Sequence, residues 1–369
     1  MNYTEMHCEN QGNVREAIGR SCCLFVYQYF IILNSLFEKH RTKTIMRAII
    51  PVAGVGSRLR PHTYTVPKVL LNVGGKPIIG HILDSIIESG FTEATIIIGY
   101  LGEMIKEYVL KHYTIKVDFV EQEERLGLGH AIYLSRHTFS RDPILIILGD
   151  TIFDVELKKM ISSSHTAIGV KKVEDPRRFG VAETSNGFIS RLIEKPENPT
   201  SNLAVVGLYY IKQPQMLVDS LKEMIKSNAR TKGEFQLTDA LQMMIERGEQ
   251  MQTFPVDGWY DCGKPETLLS TNQHLLSLLP VPPPIEGVVC QPPVFISPEA
   301  TVKNSVIGPF TTIAEGATIE NSIIRNSIIS EGASVSEALL QDSIVGSNAI
   351  VRGTYKRINI GDSSELEFY

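Results

Sequence analysis

The sequence predicts an α/β protein in which helices cover both faces of a mixed or parallel β-sheet and a short parallel β-helix follows. Three observations indicate this fold. Apolar, strand-like runs alternate with helical patterns from residue 47 onward, a proline-rich segment interrupts the chain at 279–284, and aliphatic residues then recur every five or six positions. A chain of 369 residues is long enough for two or more domains.

The first half of the sheet is predicted from short apolar runs, because strands buried on both faces lack the alternation of half-exposed strands. The intervening segments carry apolar residues at helical spacing. We predict strands at 47–52, 94–99, 116–122 and 143–148, and helices at 78–89, 103–111 and 129–135.

The second half of the same domain shows a more mixed pattern. Thr238 and Asp239 stand just before an apolar-periodic run, and their simplest role is to cap that helix. We predict strands at 167–173, 180–184, 188–194 and 204–211, and helices at 213–227 and 238–246.

After the proline-rich segment the apolar period changes. Repeats of about six residues are typical of a parallel β-helix, in which each aliphatic side chain points into a shared core and each coil stacks on the previous one. About three coils are expected, too few to stand alone, so we expect packing on the α/β domain or on another subunit of a homo-oligomer. The recurring residues are Ile296, Val302, Ile307, Ile313, Ile319, Ile324, Ile329, Val335, Leu340, Val345 and Val351.

These changes of pattern divide the chain. The segments are an N-terminal extension (1–45), an α/β domain (46–278), a proline-rich linker (279–293), a β-helix (294–355) and a C-terminal tail (356–369).

The N-terminal extension has three alternative interpretations. Its apolar run at 21–37 is short for a membrane-spanning helix, contains Gln28 and Asn34, and lacks a small-residue cleavage site. A start-codon artefact, with Met46 opening the chain, is favoured over a signal or membrane anchor and over an added packing helix. We expect no catalytic residue in this extension.

Composition gives no indication of a nucleic-acid or membrane partner. The chain has 36 Lys and Arg against 41 Asp and Glu, a net charge of −5, and neither sign forms a long run. The five cysteines are dispersed and odd in number. Their pattern predicts a cytoplasmic location without a disulfide framework or a zinc site.

A phosphate-binding loop is predicted where the first strand ends. Gly54 and Gly56 lie in this loop, and the cations Arg58 and Lys68 follow them. Glycines let backbone N–H groups approach phosphate oxygens, while Arg and Lys supply positive charge. The dinucleotide-binding and P-loop patterns are both incomplete, and a plain tight turn would explain the glycines alone. The two cations favour a polyphosphate site.

Two aspartates are candidate ligands for a divalent cation. Asp150 follows the apolar strand 143–148, at the edge where open α/β sheets bind ligands, and Asp261 occupies a second strand-to-turn context. A lone aspartate after a strand is more often a turn residue. Because Mg²⁺ in phosphoryl-transfer sites takes one or two carboxylates plus substrate oxygens, the pair favours a metal site.

Together these motifs resemble the sugar-1-phosphate nucleotidyltransferase family. The glucose-1-phosphate thymidylyltransferases that carry a left-handed β-helix are the most similar members, and the glucose-1-phosphate uridylyltransferases are close to them. The resemblance spans roughly residues 47–275. Its motifs are Pro51 to Leu59, Pro67-Lys68, Gly149-Asp150, Phe179-Gly180-Val181, Glu194-Lys195-Pro196, Gly207-Leu208-Tyr209 and Trp259-Tyr260-Asp261.

The resemblance implies a Rossmann-like nucleotidyltransferase sheet and a defined reaction. A nucleoside triphosphate would be joined to a sugar 1-phosphate, with release of pyrophosphate. Such an in-line displacement needs positioning and charge neutralisation but no protein nucleophile. The family pattern assigns Arg58 to the leaving pyrophosphate, Lys68 to the reacting phosphate, and Asp150 and Asp261 to Mg²⁺.

The same resemblance implies a base pocket and a sugar pocket. In the base pocket Gln122, five residues before Gly127, would read the base, because a side-chain amide can donate and accept at once, as a thymine or uracil edge requires. Lys195 would fix the sugar phosphate. The sugar pocket would be lined by Gly180, Glu194 and Gly207.

The expected activity is the formation of dTDP-glucose from dTTP and glucose 1-phosphate. Departures from the family pattern at Val55, Ser57, Thr151 and Cys262 leave UTP open as the alternative nucleotide. A catalytically silent regulatory subunit is a further alternative, although the retained charged residues disfavour it. A β-helix acyltransferase with a histidine base is disfavoured because no histidine follows His274.

Overall fold

The computed structural model describes residues 46–353. The predictions for the extension 1–45 and for the tail 356–369 lie outside these residues. Among the helices of the described part, none is both long and apolar enough to cross a membrane.

The α/β domain contains β1 to β13 and α1 to α7. Its strands are β1 Arg47–Pro51, β2 Asn72–Val73, β3 Lys76–Pro77, β4 Glu93–Ile98, β5 Lys116–Glu121, β6 Ile144–Ile147, β7 Thr151–Asp154, β8 Thr166–Lys172, β9 Gly180–Ser185, β10 Phe188–Glu194, β11 Leu203–Ile211, β12 Met251–Pro255 and β13 Gly258–Asp261. Its helices are α1 Ile78–Glu88, α2 Gly102–His112, α3 Leu128–Leu134, α4 Leu157–Ile161, α5 Pro214–Lys226, α6 Leu237–Glu246 and α7 Pro265–Ser277. Short 3₁₀ turns are Ser57–Leu59, His62–Tyr64, Lys68–Leu70 and Ser135–Thr138.

The central sheet is mixed, which is one of the two arrangements that the sequence predicts. Its main path runs β10-β9-β11-β6-β1-β4-β5, and β8 pairs with β11 and β12. Strand β1 runs parallel to β4 and β6, whereas β11 runs antiparallel to β6. The loop after β1 and the turn after β6 therefore leave the sheet at the same edge, where open α/β sheets bind ligands.

Both faces of the sheet are covered, because alternate strand residues point to opposite sides. In β1, Ala48 and Ile50 join a core with helices α1, α2 and α7. Ile49 joins a second core with helices α3, α5 and α6. This division confirms the prediction of helices on both faces.

The ranges predicted from periodicity agree with the structure to within about two residues, but the cap prediction for α6 is wrong. The residue before this helix is Gln236, and no side chain caps the helix. The hydroxyl of Thr238 instead donates a hydrogen bond to Glu194.

The C-terminal part forms a parallel β-helix of three four-stranded sheets. In the register, Ile313 pairs with Ile329 and Ile329 with Val345, so the aliphatic residues stack in columns, and the parallel β-helix predicted from the sequence is confirmed. The structure has four coils where the sequence predicts about three. The strands are β14 Val288–Cys290, β15 Val294–Ile296, β16 Thr301–Lys303, β17 Ser305–Ile307, β18 Thr311–Ile313, β19 Thr318–Glu320, β20 Ile323–Arg325, β21 Ile328–Ile329, β22 Ser334–Ser336, β23 Leu339–Gln341, β24 Ile344–Val345 and β25 Ile350–Arg352.

Strand β14 lies inside the range 279–293 that the sequence predicts to be a linker.

The β-helix packs on the α/β domain through α7 and β18. Asn272 of α7 is fully buried and accepts a 2.6 Å hydrogen bond from the hydroxyl of Thr312. Packing on the α/β domain was one of the two expected arrangements.

Candidate active site

The glycine loop after β1 folds back over Lys68. Gly56 adopts a left-handed φ of 63°, and its carbonyl accepts a 2.9 Å hydrogen bond from the hydroxyl of Thr63. A Cβ on Gly56 would lie 3.0 Å from side-chain carbons of Lys68 and Thr63, whereas a Cβ on Gly54 would meet no atom within 4 Å. Gly56 is therefore required by the loop conformation, and Gly54 leaves an open surface.

A two-stranded ladder brings the two predicted metal ligands together. Strand β13 runs antiparallel to β7, with Asp261 opposite Thr151. The backbone N–H of Cys262 then donates a 3.0 Å hydrogen bond to the carbonyl of Asp150. The ladder thus holds Asp150 and Asp261 in adjacent backbone segments, although 110 residues separate them in the sequence.

Lys68 forms an ion pair with Asp150. The Nζ of Lys68 lies 2.9 Å from Oδ2 of Asp150, and the lysine side chain is only 8% exposed. Burial alone would raise the pKa of Asp150, but the charge and hydrogen bond of Lys68 outweigh burial and lower the pKa, with further help from Thr151 and Arg58. Asp150 is therefore held in its charged form.

The pKa of Asp261 is shifted in the opposite direction, upward. Burial and the negative charge of Asp150 raise the pKa of Asp261, although Lys68 and Arg58 act against them. Two carboxylates that destabilise each other's charged form can share a cation. Among the residues from 46 to 353, no cluster of three or more His, Cys, Asp or Glu side chains could hold a metal ion, so this pair would need oxygens from a substrate.

Arg58 extends over the turn that follows Asp261. A Cβ on Gly263 would lie 2.8 Å from Nη2 of Arg58 and 2.8 Å from Oδ1 of Asp261. A side chain at position 263 would therefore displace Arg58 or Asp261 from its present position. The sequence analysis did not identify this residue, although a glycine two positions after a candidate ligand was a usable signal.

Gln122 and Gly127 lie together, as their spacing predicts. The Nε2 of Gln122 donates a 3.2 Å hydrogen bond to the carbonyl of Gly127. Gly127 has a φ of 107°, and a Cβ there would lie 2.7 Å from the carbonyl oxygen of Phe235. The backbone N–H of Phe235 in turn donates a 2.8 Å hydrogen bond to the carbonyl of Leu126. Segment 234–235 therefore fixes the wall around the amide of Gln122.

Glu194 and Lys195 form the second charged pair. The Nζ of Lys195 lies 2.9 Å from Oε1 of Glu194, and the hydroxyl of Thr238 donates a 2.7 Å hydrogen bond to Oε2. Gly180 lies against the hydrogen bond between Thr238 and Glu194, since a Cβ there would lie 3.1 Å from Oγ1 of Thr238 and 3.3 Å from Oε2 of Glu194. Gly207, with a φ of 90°, lies where β11 shifts register against β8.

Two adjacent cavities collect all the predicted site residues. The first, of about 570 Å³, is lined by Gly54, Gly56, Arg58, Lys68, Gln122, Gly127 and Asp150. The second, of about 600 Å³, is lined by Arg58, Asp150, Gly180, Glu194, Lys195, Gly207 and Asp261. Four residues line both cavities and form their shared wall, the charged Arg58 and Asp150 and the apolar Leu128 and Leu148.

The cavities also contain residues that the sequence analysis did not assign to a site. Arg125 and Glu234 line the first cavity, and Arg178 and Thr238 line the second. Trp259 lines the second cavity as well and contacts Phe179 edge to face, with ring centroids 5.1 Å apart. Trp259 and Phe179 belong to recognised motifs, but no local pattern marks the other four.

Comparisons with known proteins show the family and the fold. A family model described as nucleotidyl transferase matches residues 47–277. The low-salt glycan biosynthesis nucleotidyltransferase Agl11 of Haloferax volcanii is 28% identical over 325 residues, covering 77% of this chain and 87% of that protein. A glucose-1-phosphate thymidylyltransferase of Streptomyces griseus is 29% identical over 316 residues, with the same coverage of 77% and 87%. A crystal structure of UDP-glucose pyrophosphorylase complexed with UDP-glucose is similar with a TM-score of 0.55 and 27% identity, covering 63% of this chain and 99% of that one.

Proposed function

This chain belongs to the nucleotidyl transferase family as a sugar-1-phosphate nucleotidyltransferase, and we propose that it joins dTTP to glucose 1-phosphate to give dTDP-glucose and pyrophosphate. The observation that carries the proposal is the wall of Arg58 and Asp150 shared by the two cavities. A nucleotide in the first cavity and a sugar phosphate in the second would bring their phosphates together at this wall.

The reaction needs no protein nucleophile. A phosphate oxygen of glucose 1-phosphate attacks the α-phosphorus of dTTP, and the bond from that phosphorus to the bridging oxygen breaks as pyrophosphate leaves. The protein supplies position and positive charge. In this proposal Lys68 neutralises the reacting phosphate, Arg58 holds the pyrophosphate, and Lys195 holds the sugar phosphate.

The pair of Asp150 and Asp261 fits a Mg²⁺ ion. Both supply hard oxygen ligands, and the negative charge of one raises the pKa of the other, which supports their proximity. Mg²⁺ typically takes one or two carboxylates and completes its shell with water and substrate phosphates. When bound, the cation would neutralise charge on the phosphate oxygens.

Recognition of the base is assigned to Gln122. The Nε2 of this side chain donates a hydrogen bond to the carbonyl of Gly127 at 3.2 Å and makes a longer contact of 3.4 Å with Nδ1 of His130. The amide oxygen can accept from the N3–H of a thymine or uracil edge, and the N–H that contacts His130 can be transferred to the neighbouring base carbonyl. Gly54 and Gly56 would bring backbone N–H groups towards the triphosphate.

Uridylyl transfer is the second candidate. The similarity to UDP-glucose pyrophosphorylase favours it, and the amide of Gln122 is compatible with either base. Thymine differs from uracil by one methyl group, which a hydrophobic contact distinguishes by only about 1–3 kcal/mol.

A substrate matrix tests the proposal. Purified protein is assayed with each nucleoside triphosphate against the 1-phosphates of glucose, mannose, galactose and N-acetylglucosamine, and pyrophosphate release is measured. We expect the highest kcat/KM with dTTP and glucose 1-phosphate. Preference for UTP would establish the second candidate, and binding of nucleotide without turnover in any combination would indicate a regulatory subunit.

A further inference from the structure

The ammonium group of Lys68 is bound to the Asp150 carboxylate, which the proposed function assigns to a metal ion. Oδ2 of Asp150 accepts the 2.9 Å hydrogen bond from Lys68, and the hydroxyl of Thr151 donates a longer 3.3 Å bond to Oδ1. Within the described part of the chain, Asp150 is the only hydrogen-bond partner of that ammonium group. The lysine side chain is nearly fully buried, so water does not readily replace this partner.

The charges around the shared wall already cancel. The carboxylates of Asp150 and Asp261 carry two negative charges, and Lys68 and Arg58 carry two positive charges. A free divalent cation would therefore enter a neutral cluster, next to an ammonium group that repels it. A nucleoside triphosphate that arrives with the cation brings phosphate oxygens, which can take over the ammonium group of Lys68.

We propose that Lys68 acts as a placeholder cation that keeps the metal off Asp150 until a nucleoside triphosphate binds. In this exchange Lys68 moves its hydrogen bond from Asp150 to a phosphate oxygen, and Asp150 becomes free to ligate the metal. The inference rests on the proposed function, since it takes Asp150 and Asp261 as the metal site. It adds a coupling between the two ligands to the charge neutralisation already assigned to Lys68.

The exchange makes metal and nucleotide binding cooperative. Because coupling free energies are reciprocal, the nucleotide strengthens metal binding by the same factor by which the metal strengthens nucleotide binding. Removal of the placeholder changes two quantities in opposite directions. The affinity for the metal without nucleotide rises, whereas the factor by which the nucleotide raises that affinity falls.

The test measures Mn²⁺ binding to the full-length protein without nucleotide, from the electron paramagnetic resonance signal of free Mn²⁺. Lys68→Met should bind Mn²⁺ roughly tenfold more tightly than the wild type, within the usual range of coupling factors. Lys68→Arg should show no gain, because the positive charge is kept. Lys68→Gln removes the charge but keeps a donor, and it provides a second uncharged variant if Lys68→Met does not fold.

Lys195→Met is the matched control, since it removes a lysine–carboxylate pair of the same 2.9 Å length in the second cavity. It should leave the Mn²⁺ affinity without nucleotide unchanged. An unchanged or weaker affinity in both Lys68→Met and Lys68→Gln would overturn the inference.

Two further measurements separate this failure from a failure of the proposed metal site. Wild-type protein should bind Mn²⁺ in the presence of dTTP alone, after correction for Mn²⁺–dTTP in solution; absence of this binding would contradict the metal site itself. The gain in Lys68→Met should vanish in the double variant K68M/D150N. A gain that persists there would mean that Mn²⁺ binds elsewhere and would overturn both assignments.

Discussion

The hydroxyl of Thr238 lies 2.7 Å from Oε2 of Glu194 and donates a hydrogen bond to it. The other carboxylate oxygen of Glu194 pairs with Lys195 at 2.9 Å. Both oxygens of a side chain that is only 8% exposed therefore have a partner, and the carboxylate is held against the wall of the second cavity. A carboxylate in this position can accept hydrogen bonds from sugar hydroxyls.

Thr238→Val should weaken the binding of glucose 1-phosphate. The substitution keeps the shape of the side chain but removes a hydrogen bond to a charged group, worth about 1.5–3 kcal/mol, so we expect KM for glucose 1-phosphate to rise roughly tenfold or more. KM for dTTP should change little, because Thr238 does not line the first cavity. Thr238→Ser keeps the hydroxyl and should retain the wild-type value. Equal effects on both KM values would contradict this assignment.

Gly263→Ala should reduce turnover without unfolding the protein. The added methyl would lie 2.8 Å from Nη2 of Arg58 and from Oδ1 of Asp261, so at least one of these side chains must move. We expect kcat to fall by about tenfold or more, since small displacements of positioned groups are costly, while the circular dichroism spectrum stays unchanged. In an Arg58→Ala background the further effect of Gly263→Ala should be smaller, because one of the two clashes is gone. Full additivity would argue against the contact.

The two loop glycines should respond differently to alanine. Gly56→Ala forces a left-handed residue and contacts at 3.0 Å, so it should destabilise the fold by about 1–2 kcal/mol. Gly54→Ala meets no atom within 4 Å and should leave the melting temperature unchanged, while KM for dTTP rises because the methyl group takes space meant for phosphate. Melting curves and steady-state kinetics on both variants check this. Equal destabilisation of the two variants would contradict the loop geometry.

Much of the fold follows from local pattern, because buried strands and amphipathic helices have periods that are visible in short windows. The pairing of β7 with β13 does not follow from local pattern. Each strand has four residues, and their pairing joins segments about a hundred residues apart. The sequence predicts Asp150 and Asp261 as a pair from their residue types and from the family resemblance, whereas the ladder supplies the contact that brings them together.

The candidate site likewise contains residues that local sequence patterns predict and residues that they do not predict. Gln122 and Gly127 are close in the sequence, so their spacing alone predicts their proximity. The role of Thr238 depends on the hydrogen bond to Glu194, 44 residues earlier, and a threonine near a helix start is locally indistinguishable from a cap. Thr238 therefore shows how a residue that acts through a long-range contact escapes local sequence patterns.

Asn272→Leu should loosen the junction between the two parts of the protein. Its Oδ1 accepts hydrogen bonds from the N–H of Gly74 at 2.8 Å and from the hydroxyl of Thr312 at 2.6 Å, and its Nδ2 donates to the carbonyl of Phe310 at 3.2 Å. Leucine would leave these groups buried and unpaired, at a cost of about 2–4 kcal/mol in the free energy of unfolding. Urea denaturation measures the loss.

Gln273→Leu is the matched control for the junction. Its Nε2 donates a 2.7 Å hydrogen bond to Asn326 in a partly exposed position, so water can replace the lost partner. We expect a loss below about 1 kcal/mol. A loss equal to that of Asn272→Leu would show that burial of the polar groups is not the decisive factor.

His81 should make the protein less stable as the pH falls. Its Nε2 lies 2.8 Å from the carbonyl of Val73, and burial lowers the pKa of His81 from 6.5 to about 4, although the hydrogen bond to Val73 opposes the shift. Between these two values the unfolded chain binds a proton that the folded protein does not, so acidification favours unfolding, by up to about 2–3 kcal/mol. The free energy of unfolding of His81→Gln should therefore fall less between pH 6.5 and pH 4 than that of the wild type. Replacement of the exposed His137 by Gln should leave the wild-type slope, and an equal slope in His81→Gln would refute the assignment.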